Sequence, residues 1–150
     1  MAFLSSLDIS GSALTAQRLR MDVISQNIAN ANTTRTENGE TYRRRAVVFS
    51  ERPGTATFSS FLNRAQEEQR DQVAGRGVVV SSIETDMSDL KIEYDPSHPD
   101  ADDNGYVRYP NVNEVTEMVD MMAATRAYEA SITALNATKN MALKALEIGR

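Results

Sequence analysis

The side chains that could support catalysis or metal binding are few in this chain. Its 150 residues include one histidine, His98, and no cysteine. The lack of cysteine excludes a thiol nucleophile, a disulfide framework and a cysteine-based zinc site. A single imidazole argues against a transition-metal cluster and against a Ser/His/Asp set. We therefore predict no enzyme, no catalytic residue, no metal ligand and no cofactor, and a small hydrolase would lack the groups it needs.

The acidic segment Asp100–Gly105 is the strongest candidate for an ion site. Its sequence matches the opening D-x-D-x-N-G of a calcium loop. Such a loop needs a bidentate glutamate at its twelfth position, where Asn111 stands here, and no predicted helix leads into it. The pattern is more typical of a turn-rich loop in which Asp and Asn side chains bond nearby amides. Weak binding of Ca²⁺ by these carboxylates stays as an alternative.

The basic run Arg43–Arg45 is a candidate for phosphate or nucleic-acid binding. Because alternate side chains of a strand face opposite ways, only Arg43 and Arg45 share a face. Glutamates lie close by in the sequence, and the formal net charge of the chain is −5. These features favour a solvated or ion-paired strand, and we expect no nucleic-acid partner.

The N-terminal segment, from about residue 4 to 30, has apolar residues at helical spacing. Leu7, Leu14, Met21 and Ile28 recur every seven residues, which is a coiled-coil pattern of moderate quality. We expect Asn30 to end this helix, because asparagine tolerates a left-handed backbone conformation.

The C-terminal segment, from about residue 112 to 148, carries two neighbouring apolar stripes. Asn111 and Glu114 form a capping pair that predicts where this helix begins. One stripe follows alternating three- and four-residue spacing, and the other consists mostly of alanine. The first comprises Met118, Met121, Tyr128, Ile132, Leu135, Ala142 and Leu146, and the second comprises Ala127, Ala130, Ala134, Ala137, Met141 and Ile148.

The residues between the two helical ends predict strands and loops. β-branched and aromatic side chains predict strands over residues 42–49, 78–83 and 90–94. Asp95–Gly105 predicts a loop, and residues 58–72 are ambiguous between helix and loop. From residue 36 to 107 the chain has eight basic and fourteen acidic groups, a balance of −6, so the acidity belongs to this middle part.

The predicted lengths of the two helices determine how they pack. At ~1.5 Å per residue they would be roughly 40 and 55 Å long, too long for a compact globule. We predict an α+β fold in which residues 1–35 and 108–150 form a discontinuous coiled coil and residues 36–107 are a small β-rich insertion. Pairing buries one stripe of each helix and leaves the alanine stripe for helices of other copies. The expected assembly residues are Leu7, Leu14, Met21, Ile24, Asn27, Ile28, Asn30, Met118, Met121, Tyr128, Ala130, Ile132, Ala134, Leu135, Ala137 and Met141.

Two stretches resemble a known family. Ser12–Thr33, and above all its Asn27–Thr33 part, resembles the N-terminal signature of bacterial flagellar axial proteins. Gly105–Asn113, followed by Glu117–Glu129, is similar to the C-terminal region of flagellar basal-body rod proteins. The resemblance covers both predicted helices and leaves most of the middle outside.

The resemblance implies a structural subunit of the flagellar basal body, in the proximal rod that transmits torque. It implies partners among other rod proteins and copies of this chain. It also implies export through the flagellar type III apparatus to the periplasmic space without cleavage. The sequence shows neither a cleavable secretory signal nor the ~18 consecutive apolar residues of a membrane span. The alternative from another functional class is a helical adaptor that forms discrete complexes.

Overall fold

The computed structural model describes residues 2–52 and 77–148, which form two long helices and four short strands. This is the predicted α+β architecture, with helical ends around a small β region. The ambiguous residues 58–72 lie outside the described residues. In chain order the elements are α1 (Ala2–Ala29), β1 (Arg45–Glu51), β2 (Val78–Thr85), β3 (Lys91–Tyr94), β4 (Tyr106–Tyr109) and α2 (Glu114–Ile148).

Helices α1 and α2 pack side by side in antiparallel orientation. Asn27 of α1 bonds Glu117 of α2, and Met21, further back in α1, accepts a bond from Thr125, further on in α2. With 28 and 35 residues, the helices are about 42 and 52 Å long. Most buried and half-buried positions of α2 form a stripe in alternating steps of four and three: Glu117, Met121, Ala124, Tyr128, Ser131, Leu135, Thr138 and Ala142. Asp120 and Ala127, at the margins of this stripe, are also half-buried.

The end of α1 lies where it was predicted, but its cause differs. Asn30 Nδ2 donates to the Gln26 carbonyl at 2.9 Å, and Asn30 Oδ1 accepts from the Thr33 hydroxyl at 3.1 Å. Among the described residues, every positive φ belongs to glycine. The predicted left-handed asparagine is therefore wrong, and the side chain of Asn30 ends the helix by satisfying a last-turn carbonyl.

The cap of α2 is Asn113, two residues after the predicted Asn111. The Oδ1 atom of Asn113 accepts from the backbone N–H groups of Val115 and Thr116 at 3.1 and 3.3 Å. These bonds satisfy two donors that have no partner within the helix. The prediction is wrong because Asn111 bonds the turn that follows β2.

Strands β1 and β2 form an antiparallel pair that lies along α1. Asn27 bonds Arg45 at the start of β1, and Ser12 Oγ accepts from the Val78 N–H at the start of β2. The β1–β2 pair therefore runs along about four turns of α1. At Gly77 the chain has a φ of +102°, and a Cβ there would collide with Ser12 Oγ. The chain therefore bends before β2 at a position where only glycine fits.

Strands β3 and β4 form a second antiparallel pair, joined by the predicted Asp95–Gly105 loop. Strand β4 was not predicted, because its four residues, between the loop and the C-terminal helix, were assigned to no element. Among the described helices and strands, β3 and β4 have close backbone contacts only with each other. Side chains attach it to the rest: Lys91 Nζ donates to the Val112 carbonyl at 2.7 Å, and Thr34 donates to Asp100 at 2.7 Å.

Candidate assembly interface

The side chain of Asn27, near the end of α1, is fully buried and makes four hydrogen bonds. Its Oδ1 accepts from the Arg45 N–H at 3.0 Å and from the Tyr42 hydroxyl at 2.9 Å. Its Nδ2 donates to the Arg45 carbonyl at 2.8 Å and to Glu117 Oε2 at 2.9 Å. Every polar position of the amide is used. By bonding both backbone groups of Arg45, Asn27 acts as a strand partner for the start of β1.

Glu117, in the first turn of α2, is only 1 % exposed, and its carboxylate is held by two other segments. The Arg44 Nε atom donates to Oε1 at 2.7 Å, and Asn27 donates to the other oxygen. Arg44 Nη2 also lies 3.6 Å from Asp120 Oδ2, whose Oδ1 lies 3.4 Å from Arg20 Nη2. The charges alternate in sign along this chain of contacts, so the buried carboxylate is compensated. We call Asn27, Arg44 and Glu117 the polar network.

Tyr42 and Asn111 support the polar network from outside the helices. Burial raises the pKa of the Tyr42 phenol, against an opposing effect of the Arg45 charge and with a smaller rise from Glu117. The hydroxyl therefore stays protonated and can donate to the amide of α1. Asn111 Oδ1 accepts from the Arg44 N–H at 2.8 Å, which holds the backbone from which the guanidinium reaches α2.

In the first turns of α2, the side turned away from α1 is apolar and exposed. Four large apolar residues there, at Val115 and three, four and seven residues after it, are more than half exposed. The exposed fractions are 71 % for Val115, 53 % for Met118, 56 % for Val119 and 55 % for Met122. At about 100° per residue, the alanine stripe lies roughly a third of a turn from the buried stripe. Its Ala130, Ala134, Ala137 and Met141 are all exposed, and Ala127 is half-buried. We call these two groups of residues together the outer face of α2.

The structure divides the sixteen predicted assembly residues into two sets. Ten lie on the inner side or its margins and are buried or half-buried within the chain: Leu7, Leu14, Met21, Ile24, Asn27, Ile28, Asn30, Met121, Tyr128 and Leu135. Six are exposed: Met118, Ala130, Ile132, Ala134, Ala137 and Met141. The first set can hold the two helices of one chain together, and the second is free to contact another molecule.

The candidate ion site consists of residues with protein partners. Asp100 accepts from the Thr34 hydroxyl and lies 3.9 Å from Arg35, while Asp102 lies 4.0 Å from Arg108. His98 Nδ1 accepts from the Asp100 N–H. Within residues 2–52 and 77–148, no three His, Asp or Glu side chains are grouped as metal ligands would be.

Sequence reasoning missed the polar network apart from Asn27. The C-terminal stripe was drawn through Met118, so Glu117 was not among the residues predicted to be buried or to form the assembly interface. A signal was present, because Glu117 lies four residues before Met121 and seven before Ala124, on the stripe that the structure buries. The run Arg43–Arg45 was predicted to be a solvated or ion-paired strand. Arg44 is ion-paired but directly precedes β1, and the sequence did not name its partner.

Two family models match the helical parts of the chain. Residues 7–35 match the family described as flagella basal body rod protein. Residues 103–148 match the family described as flagellar basal body rod FlgEFG protein C-terminal. The first match covers most of α1, including Asn27, and the second covers β4 and α2, including Glu117. Fold and matches together define the class, which is that of the flagellar basal-body rod proteins.

Relatives that align along nearly the whole chain define the family more narrowly. The flagellar basal-body rod protein FlgC of Bacillus subtilis (strain 168) is 52 % identical over 149 residues, covering 97 % of each chain. FlgC of Borreliella burgdorferi is 48 % identical over 153 residues, covering 99 % of this chain and 98 % of the relative. FlgC of Salmonella typhimurium is 41 % identical over the full length of both. The chain belongs to the FlgC family of flagellar basal-body rod proteins.

Family membership confirms the predicted class of function. The chain is a structural subunit of the rod in the flagellar basal body. In the part of the chain that the structure describes, no helix has the length and apolar character needed to cross a membrane.

Proposed function

We propose that this rod subunit assembles by packing the outer face of α2 against helices of neighbouring subunits. The observation that carries the proposal is the exposure of Val115, Met118, Val119 and Met122, with a row of small alanines further along the same helix. A contiguous exposed apolar face is typical of an interaction site. Small side chains further along let the axis of another helix come close. The neighbours are other rod proteins and copies of this chain.

The place and route of assembly follow from the same proposal. The subunit passes through the flagellar type III apparatus in an unfolded state, reaches the periplasmic space, joins the proximal rod and transmits torque without enzymatic activity. Gly11 inside α1 supports late folding, because glycine weakens a helix by about 1 kcal/mol relative to alanine. Binding of neighbours to the folded form then stabilises it by mass action.

We further propose that residues 1–35 and 108–150 act as one discontinuous helical domain, with residues 36–107 as the insertion. Most of both family matches falls on the helical part, which supports this division, although the second begins at residue 103, inside the proposed insertion. The insertion is not a separate body, because the β1–β2 pair lies along α1.

Deletion of residues 1–10 tests the assembly proposal. The shortened α1 should prevent export or incorporation, so the periplasmic fraction or the isolated basal bodies should lack the truncated chain and cells should not swim. The control is a full-length chain carrying Asp103→Ala in the exposed loop, which should be exported and incorporated normally. A truncated chain that enters basal bodies and supports swimming would contradict the proposal.

A further inference from the structure

We propose that the polar network makes the pairing of the two helices conditional on the folding of β1, and that it fixes their register. The inference concerns a single chain, so it does not depend on which neighbours cover the outer face. It rests on the origin of the three residues: Asn27 belongs to α1, Arg44 directly precedes β1, and Glu117 belongs to α2.

The first step is the cost of burying Glu117. An ionised carboxylate removed from water is strongly unfavourable unless it is paired and hydrogen-bonded. When α1 and α2 pair in the observed register, α1 supplies the amide of Asn27, which carries no charge. The compensating charge at hydrogen-bond distance comes from Arg44. Two helices without the strand would therefore bury an uncompensated carboxylate.

The second step is the placement of Arg44 by residues outside the helices. Its N–H donates to Asn111 Oδ1 at 2.8 Å. Its carbonyl accepts from the N–H of Asp86, the residue after β2, also at 2.8 Å. The next residue, Arg45, is paired with Asn27 on one side and with Thr85 across the sheet. The guanidinium of Arg44 therefore reaches α2 only when the β1–β2 pair has closed.

The third step concerns register. The buried stripe of α2 contains small or polar residues such as Ala124, Ser131 and Thr138, which distinguish one heptad from the next only weakly. A buried polar residue can specify register in paired helices. A slip of one heptad would move Glu117 about 10 Å from Asn27 and break the hydrogen bond between them, so the buried carboxylate would lose that partner.

Cysteine pairs can report the register, because the chain has no cysteine of its own. Met21→Cys with Thr125→Cys marks the observed register, since Met21 Sδ and Thr125 Oγ1 lie 3.6 Å apart. Met21→Cys with Met118→Cys or with Ile132→Cys marks slips of one heptad. In the purified full-length chain, a short bismaleimide should join only the first pair.

Charge variants in these cysteine backgrounds test the dependence on β1. Arg44→Met should lower the native-register cross-linking rate at least about tenfold, because the carboxylate loses its counter-charge. The matched control is Arg43→Met, whose guanidinium bonds the Ser88 carbonyl instead, and it should stay within about twofold of the parent. Arg44→Met combined with Glu117→Met removes both charges. Cross-linking should then return, in the native and the slipped registers together.

Four results would overturn the proposal. The first is that the parent chain lacks the native-register cross-link, and the second is that the Arg44→Met chain cross-links like the parent. The third and fourth are that the double variant cross-links in neither register, or that it cross-links only in the native register. The return of cross-linking in the double variant separates blocked pairing from a general failure to fold.

Discussion

The inner and outer faces of α2 do not divide into one apolar and one polar face, as the two faces of most surface helices do. The inner face, against α1, buries the carboxylate of Glu117 and the hydroxyl of Thr138. The outer face exposes more than half of the side chains of Met118, Val119 and Met122. The inner face thus sets geometry within the chain, and the outer face holds apolar surface that only another molecule can remove from water.

Different kinds of interaction stabilise the contacts of the two faces. On the inner face, hydrogen bonds and opposite charges must be complete, because each unsatisfied buried group is costly. On the outer face, the gain is proportional to the apolar area that a neighbour covers. Changes on the inner face should therefore act on the stability of one chain, and changes on the outer face should act on assembly.

The largest expected effect on stability comes from Asn27→Ala on the inner face. The substitution leaves the Arg45 backbone, the Tyr42 hydroxyl and the Glu117 carboxylate without their shared partner. We expect the free energy of unfolding to fall by about 3–5 kcal/mol, measured by urea denaturation of the purified chain. The control Asn32→Ala, at an exposed position beyond the end of α1, should change it by less than about 0.5 kcal/mol. A loss below about 1 kcal/mol for Asn27→Ala would show that the network is not essential to the fold.

The outer face should respond in the opposite way. Ala130→Glu or Ala134→Glu places a charge in the stripe that neighbours are expected to cover, so swimming in soft agar should be lost. The free energy of unfolding of the purified chain should change by less than about 0.5 kcal/mol, because both positions are exposed. Ala134→Ser, which keeps the side chain small, should swim normally. Normal swimming of the glutamate variants would argue strongly against packing through this stripe.

The smallest effect is expected at the turn after β2, which Asn111 links to Arg44 of the polar network. The backbone N–H and then the hydroxyl of Ser88 lower the pKa of the Asp86 carboxyl below its usual 3.8. The contribution of the ionised Asp86 carboxylate to stability is therefore present above pH 3.8 and is lost as the pH falls through the lowered pKa. Asp86→Asn should reduce the steepness with which the unfolding midpoint falls between pH 5 and pH 2. An unchanged acid profile would remove Asp86 from the account.

Sequence periodicity predicted the outer face better than the inner one. The alanine stripe is visible in the spacing of one segment, so its exposure beside a paired helix followed directly. The polar network joins residues 73 and 90 positions apart, and no local pattern relates them. Glu117 was not predicted to be buried. A carboxylate is rarely buried without a partner, and the sequence did not reveal that Arg44 would be that partner.

The ends of the helices show the same limit on a smaller scale. Both lie within a few residues of their predicted positions, because asparagine occurs there. Which asparagine caps and which bonds a distant turn depends on tertiary contacts, as Asn113 and Asn111 show. Strand β4 was missed because its four residues become a strand only by pairing with β3.

The accessibility of a single cysteine at Ala134 tests the central claim most directly. A chain carrying Ala134→Cys can be treated with a maleimide reagent as purified protein and within isolated basal bodies, with Thr138→Cys on the buried stripe as a control. We predict that Cys at position 134 reacts readily in the purified chain and is protected in the basal body, while position 138 is protected in both. Equal reactivity of position 134 in the two states would contradict the account, because the outer face of α2 would then stay uncovered in the rod.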